Sequence, residues 1–295
     1  MGQICVQYRG SLKSCNYTCA YCPFSKKHVS KTELERDKAA LFRFYDSLKE
    51  GKRQVNALQI VPYGEAMIHP YYWEFLADVS KLKQIQAVGI QTNLSLQADV
   101  FLRDWEQWQG KTEKLRLWAT FHPSMTKLET FVHTCTVLHK AGVEVCVGVV
   151  GVPEQMEILW NCKRALPAGV PFWVNAMEGM GRAYSEAECL EFQKMDVHFL
   201  LELKHWRAEP KKCQNRYFVE ADGTVHGCNI SREVLGNWYQ DEPLSACACR
   251  RRMCSCYLAY SGRSDFGRYA DFGAFPMFRI PESMEKIAEK SIENS

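Results

Sequence analysis

Short apolar segments alternate with longer amphipathic segments along the first two thirds of the chain. The apolar segments have the length and composition of buried β-strands. They are Ile4–Tyr8, Ala57–Pro62, Ala87–Thr92, Leu115–Thr120, Val143–Val150 and Pro171–Asn175. Helical periodicity or helix-start signals predict helices in the segments between and after them. These are Lys31–Lys49, Tyr71–Leu82, Asp99–Trp108, Lys127–Lys140, Glu154–Ala165 and a helix from the N-cap Ser185 to about Val197.

This alternation predicts an α/β fold with a parallel sheet and helices outside it. In the first helix, the spacing places Leu34, Ala39, Phe42 and Tyr45 on one face. Six strands are too few for an eight-stranded barrel, so they suit either an open doubly wound sheet or a partial barrel. In both folds the reactive side chains gather at the carboxyl ends of the strands.

The loop after the first predicted strand carries three cysteines, Cys15, Cys19 and Cys22, at CxxxCxxC spacing. A four-iron four-sulfur cluster usually has four thiolate ligands, so three leave one iron without a protein ligand. An open metal position is typical of catalytic rather than structural sites. The alternatives are a partial zinc site or three unrelated thiols.

The motif, with the aromatic Tyr21 directly before its last cysteine, resembles the signature of the radical S-adenosylmethionine (SAM) enzymes. The resemblance implies a partial (β/α)6 TIM-like barrel. It also implies that Cys15, Cys19 and Cys22 bind a [4Fe-4S] cluster whose open iron is chelated by SAM. In that family, an electron from the cluster cleaves SAM to a 5′-deoxyadenosyl radical. Tyr21 would pack beside the adenine.

Gly64 and Glu65, after the second predicted strand, resemble the family's GGE motif, although Tyr63 and Ala66 replace its commoner glycine and proline. The resemblance implies that the backbone and the carboxylate here hold the ammonium group of SAM. A charged acceptor suits an ammonium group.

Three further positions correspond to SAM contacts in the resembling family. Asn93 would bind the ribose or carboxylate, or would only form an Asx-turn after its strand. His122 would lie over the pocket, or would be an ordinary loop histidine. Val149, on the fifth predicted strand, would lie behind the adenine.

A second cysteine set begins at Cys213 and Cys228, which flank a predicted β-hairpin with an Asp222-Gly223 turn. The hairpin brings its two ends together, so both cysteines can reach one metal centre. The other members of this set are Cys247, Cys249, Cys254 and Cys256.

This set resembles the SPASM and twitch extensions of radical SAM enzymes, which bind auxiliary clusters. A full SPASM domain has seven cysteines and this chain has six, so one auxiliary [4Fe-4S] cluster is the preferred interpretation. Its ligands would be Cys213, Cys228, Cys254 and either Cys249 or Cys256. A structural zinc ion is the alternative.

We therefore expect an α/β chain of three parts: a radical SAM partial barrel over residues 1–205, a small α+β cysteine-rich auxiliary-cluster domain over 206–260, and a tail over 261–295 that packs on the barrel. The five remaining cysteines are expected to be buried free thiols. They are Cys5, Cys135, Cys146, Cys162 and Cys189.

The composition of the chain bears on the cellular location and the partners that we expect. The 14 cysteines occur without a signal peptide or a long apolar run, which favours metal chemistry in a cytoplasmic protein without a membrane partner. The net charge of +3 is too small to indicate nucleic-acid binding.

The resemblance implies hydrogen abstraction from a carbon of a peptide or small-molecule substrate, with electrons from a donor such as flavodoxin or ferredoxin. The chain begins almost at the first predicted strand, which favours a small substrate or a peptide presented by a partner. No catalytic acid or base is identified. The alternatives are radical SAM modification of a tRNA and a non-catalytic iron–sulfur or zinc scaffold.

Overall fold

The computed structural model describes residues 4–24, 28–204, 206–207, 216–231, 233–245 and 252–254, and it is a mixed α/β structure. The strands are Ile4–Arg9 (β1), Val55–Ile60 (β2), Ala87–Thr92 (β3), Leu115–Phe121 (β4), Glu144–Gly151 (β5), Phe172–Ala176 (β6), Trp206–Arg207 (β7), Arg216–Glu220 (β8), Thr224–His226 (β9), Val234–Asn237 (β10) and Met253–Cys254 (β11). The helices are Lys31–Glu50 (α1), Pro70–Lys81 (α2), Ala98–Gln107 (α3), Leu128–Lys140 (α4), Met156–Ala165 (α5), Glu186–Met195 (α6) and Phe199–Glu202 (α7).

Nine of the strands form one sheet in the order β10-β9-β8-β1-β2-β3-β4-β5-β6. Strands β1 to β6 pair in parallel with their neighbours in the chain. A doubly wound sheet reverses its strand order partway, and this order does not reverse, so the doubly wound alternative is wrong. The parallel α/β fold is confirmed, whereas the curvature of a partial barrel stays a prediction.

Consecutive helices along the chain pack on one another, α1 on α2, α2 on α3, α3 on α4 and α4 on α5. They cover the apolar face of the sheet, as shown by the ring of Tyr8 in β1, whose centre lies 4.3 Å from that of Phe44 in α1. Likewise, Phe121 in β4 packs on Phe131 in α4 with 5.0 Å between ring centres. No helix in the described part of the chain has the length and apolarity needed to cross a bilayer.

The buried face of α1 differs from the predicted one. Its buried residues are Asp37, Leu41, Phe44 and Leu48. Ala39 is exposed, and Leu34, Phe42 and Tyr45 are only partly buried. The prediction failed because the buried face includes a charged residue, Asp37, which a hydrophobic pattern does not indicate. Three hydroxyl groups compensate that charge, since Ser11 donates to Asp37 at 3.0 Å, Tyr71 at 2.9 Å and Tyr72 at 2.7 Å.

The predicted hairpin with the Asp222-Gly223 turn is confirmed as β8 and β9, which pair antiparallel. Strand β8 also pairs in parallel with β1, so the hairpin extends the large sheet beyond its first strand. Strands β7 and β11 form a separate two-stranded sheet. The three predicted domain ranges stay predictions, and the tail over 261–295 lies outside the described residues.

Four of the five cysteines expected to be buried free thiols are buried, namely Cys5, Cys135, Cys146 and Cys162. Burial raises the pKa of Cys135 and of Cys162 to about 12, so both stay protonated and unreactive at neutral pH. Cys189 on α6 departs from the expectation, because it is partly exposed.

Candidate functional site

The loop that follows β1 contacts the loops after β2, β3 and β4, all at one edge of the sheet. We call residues 10–24 the cysteine loop. The carboxyl ends of neighbouring parallel strands meet at this edge, which is where the sequence placed the candidate residues. The structure brings five of them, Tyr21, Gly64, Glu65, Asn93 and His122, into or next to contacts with this loop.

Gly64 lies directly against the backbone of the cysteine loop. The amide of Glu65 donates to the carbonyl oxygen of Ser14 at 2.8 Å. A Cβ atom added at Gly64 would lie 1.7 Å from that same oxygen, which is far inside contact distance. The close approach of two backbones therefore requires glycine at this position, whatever else the residue does.

The side chain of Glu65 is 2% exposed and accepts three hydrogen bonds. The hydroxyl of Thr92 donates to it at 2.7 Å, the amide of Met67 at 2.9 Å, and the amide of Asn93 to its other oxygen. Burial raises the pKa of Glu65 to about 7, while these donors oppose the shift. Glu65 thus ties the loop after β2 to the end of β3, and its contact with an ammonium group stays a prediction.

Asn93 forms the predicted Asx-turn and also reaches the cysteine loop. Its side-chain oxygen accepts from the amide of Ser95 at 3.0 Å. Its side-chain nitrogen donates to the amide oxygen of Asn16 at 3.0 Å, and Asn16 in turn donates to the hydroxyl of Ser95 at 3.0 Å. The turn and the link to the loop therefore coexist.

The hydroxyl of Tyr21 and Nδ1 of His122 lie 2.8 Å apart, and their rings stack with 5.8 Å between centres. Burial lowers the pKa of His122 to about 4, so the imidazole is neutral at pH 7. Burial also raises the pKa of the Tyr21 phenol, which stays protonated. Nδ1 of a neutral imidazole can accept a hydrogen bond from the phenol, so this pair joins the last turn of the cysteine loop to the end of β4.

In the cysteine loop, Cys19 is buried and Cys15 and Cys22 are partly buried. Burial raises the pKa of Cys15, and the neighbouring Glu65 and Cys22 add to that shift. Backbone amides oppose it, chiefly that of Tyr17, which donates to the Cys15 sulfur at 3.4 Å. Amide donors of this kind stabilise a thiolate, the form in which cysteine binds metal. The donor set of three thiols therefore suits an iron–sulfur cluster chemically.

Within the described ranges, no three side chains of His, Cys, Asp or Glu are grouped around a position for a single metal ion. A four-iron cluster binds each thiolate through a different iron, so its ligands do not converge on one point. The cluster on Cys15, Cys19 and Cys22 stays a prediction.

Val149 is fully buried in the hydrophobic core. It stands opposite Phe121 in the register of β4 and β5, and Phe121 packs on α4. Cross-strand partners share one face of a sheet, so Val149 faces the helices. Its contact with adenine stays a prediction.

Two cysteines of the second set are described, and they lie in separate segments. Cys228 follows β9, and its sulfur accepts a hydrogen bond from the amide of Ser231 at 3.2 Å. Cys254 lies in β11, where it stands opposite Trp206 of β7. The other four predicted members, Cys213, Cys247, Cys249 and Cys256, lie outside the described residues.

Sequence reasoning missed Asn16, Ser95 and Arg9 at this edge. The position of Asn16 inside the three-cysteine motif was a usable signal for the first. Arg9 had a clearer one, because it is the only charged residue of β1 and stands at its end, directly before the cysteine loop. Ser95 is a small polar residue in a loop, and its pattern in the sequence carries no such signal.

Comparison with known proteins finds similar structures but no matching sequence family. No protein-family model matches the chain, and no curated protein sequence matches it. The structure of His-tagged anSMEcpe with bound AdoMet is 12% identical, with a TM-score of 0.50 over 80% of this chain and 78% of that one.

Two other structures are less similar in shape. BtrN in complex with AdoMet and 2-DOIA is 14% identical, with a TM-score of 0.42 over 82% of this chain and 84% of that one. Native anSMEcpe with bound AdoMet and Cp18Cys peptide is 14% identical, with a TM-score of 0.49 over 80% and 78% of the two chains. The chain therefore shares the fold of AdoMet-bound anSMEcpe across about four fifths of its length.

Proposed function

We propose that this protein is a radical SAM enzyme that abstracts a hydrogen atom from a carbon of a peptide or small-molecule substrate. The observation that carries the proposal is the cysteine loop. Three thiols at CxxxCxxC spacing lie at the carboxyl edge of a parallel sheet, in a loop hydrogen-bonded to the ends of the next strands. The fold shared with AdoMet-bound anSMEcpe supports it.

Cys15, Cys19 and Cys22 would hold a [4Fe-4S] cluster through three of its irons. The bound cluster would supply the electron that cleaves SAM into methionine and a 5′-deoxyadenosyl radical, which then takes hydrogen from the substrate. The chain's own contribution is to hold the thiols in place. Gly64 permits the close backbone contact, and Asn93 and His122 form hydrogen bonds with Asn16 and Tyr21 of the loop.

The SAM-binding residues proposed are Tyr21, Gly64, Glu65, Asn93, His122 and Val149. Val149 would contribute through its backbone, because its side chain faces the helices. Glu65 is the group best suited to the SAM ammonium, because a carboxylate is a charged acceptor for it. Burial raises the pKa of Glu65 to about 7. A bound ammonium would lower that pKa and restore the negative charge. The neutral His122 and the protonated Tyr21 offer uncharged polar surface for the adenosine.

The finer features of the prediction belong to the proposal as well. They are a partial barrel over 1–205, a SPASM- or twitch-like domain over 206–260 and a tail that packs on the barrel. One auxiliary cluster would be held by Cys213, Cys228, Cys254 and either Cys249 or Cys256. It would accept an electron or bind the substrate, and flavodoxin or ferredoxin would reduce the enzyme.

The test is anaerobic reconstitution with iron and sulfide, followed by incubation with SAM and dithionite and chromatography for 5′-deoxyadenosine. About eight irons per chain, at four per cluster, with reductant-dependent 5′-deoxyadenosine, are expected. The Cys135→Ala variant, which removes a thiol in the core of α4, should behave like the wild type. Iron without any 5′-deoxyadenosine would indicate a scaffold protein, and about four irons plus zinc would make the second cysteine set structural.

A further inference from the structure

A cavity of about 330 Å³ opens at the carboxyl end of β1, between the loop after β2 and the hairpin of β8 and β9. Its size is at the lower end of the range for small-molecule sites. It is lined by side chains from strands β1, β8 and β9, from the loop after β2 and from the segment after β9. Among them are Arg9, Tyr63, Phe218, Glu220, His226 and Cys228.

The guanidinium of Arg9 is packed among aromatic rings. Its central carbon lies 4.3 Å from the ring centre of Tyr63, 4.9 Å from that of Phe218 and 5.9 Å from that of Phe24. Its Nε donates to the carbonyl oxygen of Val61 at 3.0 Å. These contacts fix the direction of the planar group, and no acceptor in the described part of the chain takes the N–H groups at its other end.

Arg9 makes no ion pair with any carboxylate in the described part of the chain. The nearest candidate in the sheet is Glu220, which stands opposite Arg9 in the register of β1 and β8. The carboxylate of Glu220 instead lies 3.6 Å from Nε2 of His226. The side chain of Glu220 is 47% exposed. An arginine that lines a cavity and has no carboxylate partner is a candidate for binding an anionic ligand.

We propose that this cavity binds a carboxylate group of the substrate, with Arg9 as the group that recognises it. The reference to a substrate rests on the proposed function, whereas the binding itself does not. The flat fork of guanidinium N–H groups matches the two carboxylate oxygens, and Tyr63 and Phe218 offer ring surface to the adjoining apolar part. Glu220 in the same wall disfavours a doubly charged phosphate more than a singly charged carboxylate.

The competing occupant of the cavity is the auxiliary cluster, because Cys228 also lines it. A cluster with its thiolates is an anion, and Arg9 could compensate its charge instead. The two occupants differ in a measurable way. A carboxylate site keeps its iron when Arg9 is neutralised, whereas a cluster contact does not.

The experiment is calorimetric titration of the reconstituted protein, without SAM or reductant, with two matched pairs of probes. N-acetylphenylalanine and its amide differ only in a terminal carboxylate. The blocked dipeptides acetyl-Phe-Glu-amide and acetyl-Phe-Gln-amide differ only in a side-chain carboxylate. We expect the acid of at least one pair to bind about tenfold more tightly than its neutral partner. Preference in the first pair indicates a free acid or chain end, and preference in the second indicates an acidic side chain of a peptide.

The variants define the role of Arg9. Arg9→Gln should reduce the preference to less than about twofold with unchanged iron content, and Glu220→Gln should strengthen acid binding about threefold. Arg43→Gln is the matched control, because Arg43 stacks on Tyr239 at 3.9 Å in a different cavity, formed by α1 and the segment after β10.

The proposal is overturned if neither acid is preferred, if Arg9→Gln keeps the preference, or if Arg9→Gln loses iron. Because these readouts need no SAM cleavage, an inactive protein can still pass or fail this test.

Discussion

The two cysteine regions are built in opposite ways. In the cysteine loop, the three thiols lie within eight consecutive residues, and hydrogen bonds from three other strand ends hold the loop. The two described cysteines of the second set lie in separate segments: Cys228 follows β9 of the large sheet, and Cys254 lies in β11 of the small one. A metal centre on the first set of cysteines requires only that one loop is placed correctly. A metal centre on the second set requires that separate segments of the chain come together. The two should therefore differ in how sensitive they are to local changes.

The strongest test of this comparison replaces one thiol in each region. Cys22→Ala should abolish SAM cleavage, because the cluster that reduces SAM would lose one of only three protein ligands. Cys228→Ala should lower the iron content while leaving measurable 5′-deoxyadenosine. Iron assay and chromatography on both variants check this. Equal loss of 5′-deoxyadenosine from both would show that the two regions do not act separately.

The next test acts on backbone contacts. Gly64→Ala would place a Cβ atom 1.7 Å from the Ser14 carbonyl oxygen, so the cysteine loop must move away. We expect a loss of about 3 kcal/mol or more in the free energy of unfolding, together with loss of 5′-deoxyadenosine formation. Thermal unfolding should shift by roughly 6 °C or more.

Gly223→Ala is the matched change in the second region, where the added Cβ would meet the ring of Tyr239 at 2.4 Å and φ is +89°. It should also destabilise the protein, but 5′-deoxyadenosine formation should persist. Retention of activity in Gly64→Ala would contradict the close docking of the cysteine loop.

A third test uses the pH dependence of stability in the iron-free protein. The pKa of Glu65 is raised from 4.5 to about 7 in the folded state, so the folded protein binds its proton more tightly than the unfolded chain. The resulting stabilisation is fully present below pH 4.5 and is lost as the pH rises through about 7. Between pH 5 and pH 7 the loss should be about 2 kcal/mol.

Glu65→Gln should remove this slope, although it also costs about 1–3 kcal/mol at every pH, because the new amide N–H₂ group would face the amide of Asn93. Glu220→Gln, at a half-exposed carboxylate in the second region, should leave the slope unchanged. Unfolding in urea at several pH values measures both. An identical slope in the wild type and in Glu65→Gln would refute the assignment.

The smallest expected effect is at the pair of Tyr21 and His122. Tyr21→Phe removes the hydroxyl at 2.8 Å from Nδ1 of His122 but keeps the stacked ring, so it should cost only about 1 kcal/mol. Tyr184→Phe removes a hydroxyl that donates to Gly151 at 2.8 Å, far from the cysteine loop in sequence. Both should be similarly destabilised in thermal unfolding, and only Tyr21→Phe should weaken SAM binding in a titration. Equal SAM affinity in both variants would remove Tyr21 from the proposed site.

Local pattern was sufficient for the elements of the large sheet. The third predicted strand, Ala87–Thr92, is identical to β3, and the N-cap at Ser185 forms the full capping box with Glu188. Both depend on nearest neighbours in the chain, which a sequence displays directly. The face of α1 was misjudged because Asp37 is buried, and the hydroxyl donors that make this possible come from distant segments.

The edge of the sheet was also predictable in part. Placing Gly64, Glu65, Asn93 and His122 together required only that parallel strands end at a common edge. The partners of each side chain were not predictable, because hydrogen bonds such as that from Asn93 to Asn16 join residues far apart in the chain. The pairing of β8 with β1 left no local signal for the same reason.

That last pairing also constrains how the protein is made. Strand β1 leaves the ribosome long before β8, so the edge of β1 that later pairs with β8 stays unpaired until β8 has been made. Until then, the nascent chain presents an open strand edge, which invites pairing with other chains. A fragment that stops before β8 leaves this edge of β1 unpaired permanently, next to the loop that carries the three thiols. Shortened versions of this protein should therefore aggregate during expression, and chaperones that shield strand edges should raise the yield of the full chain.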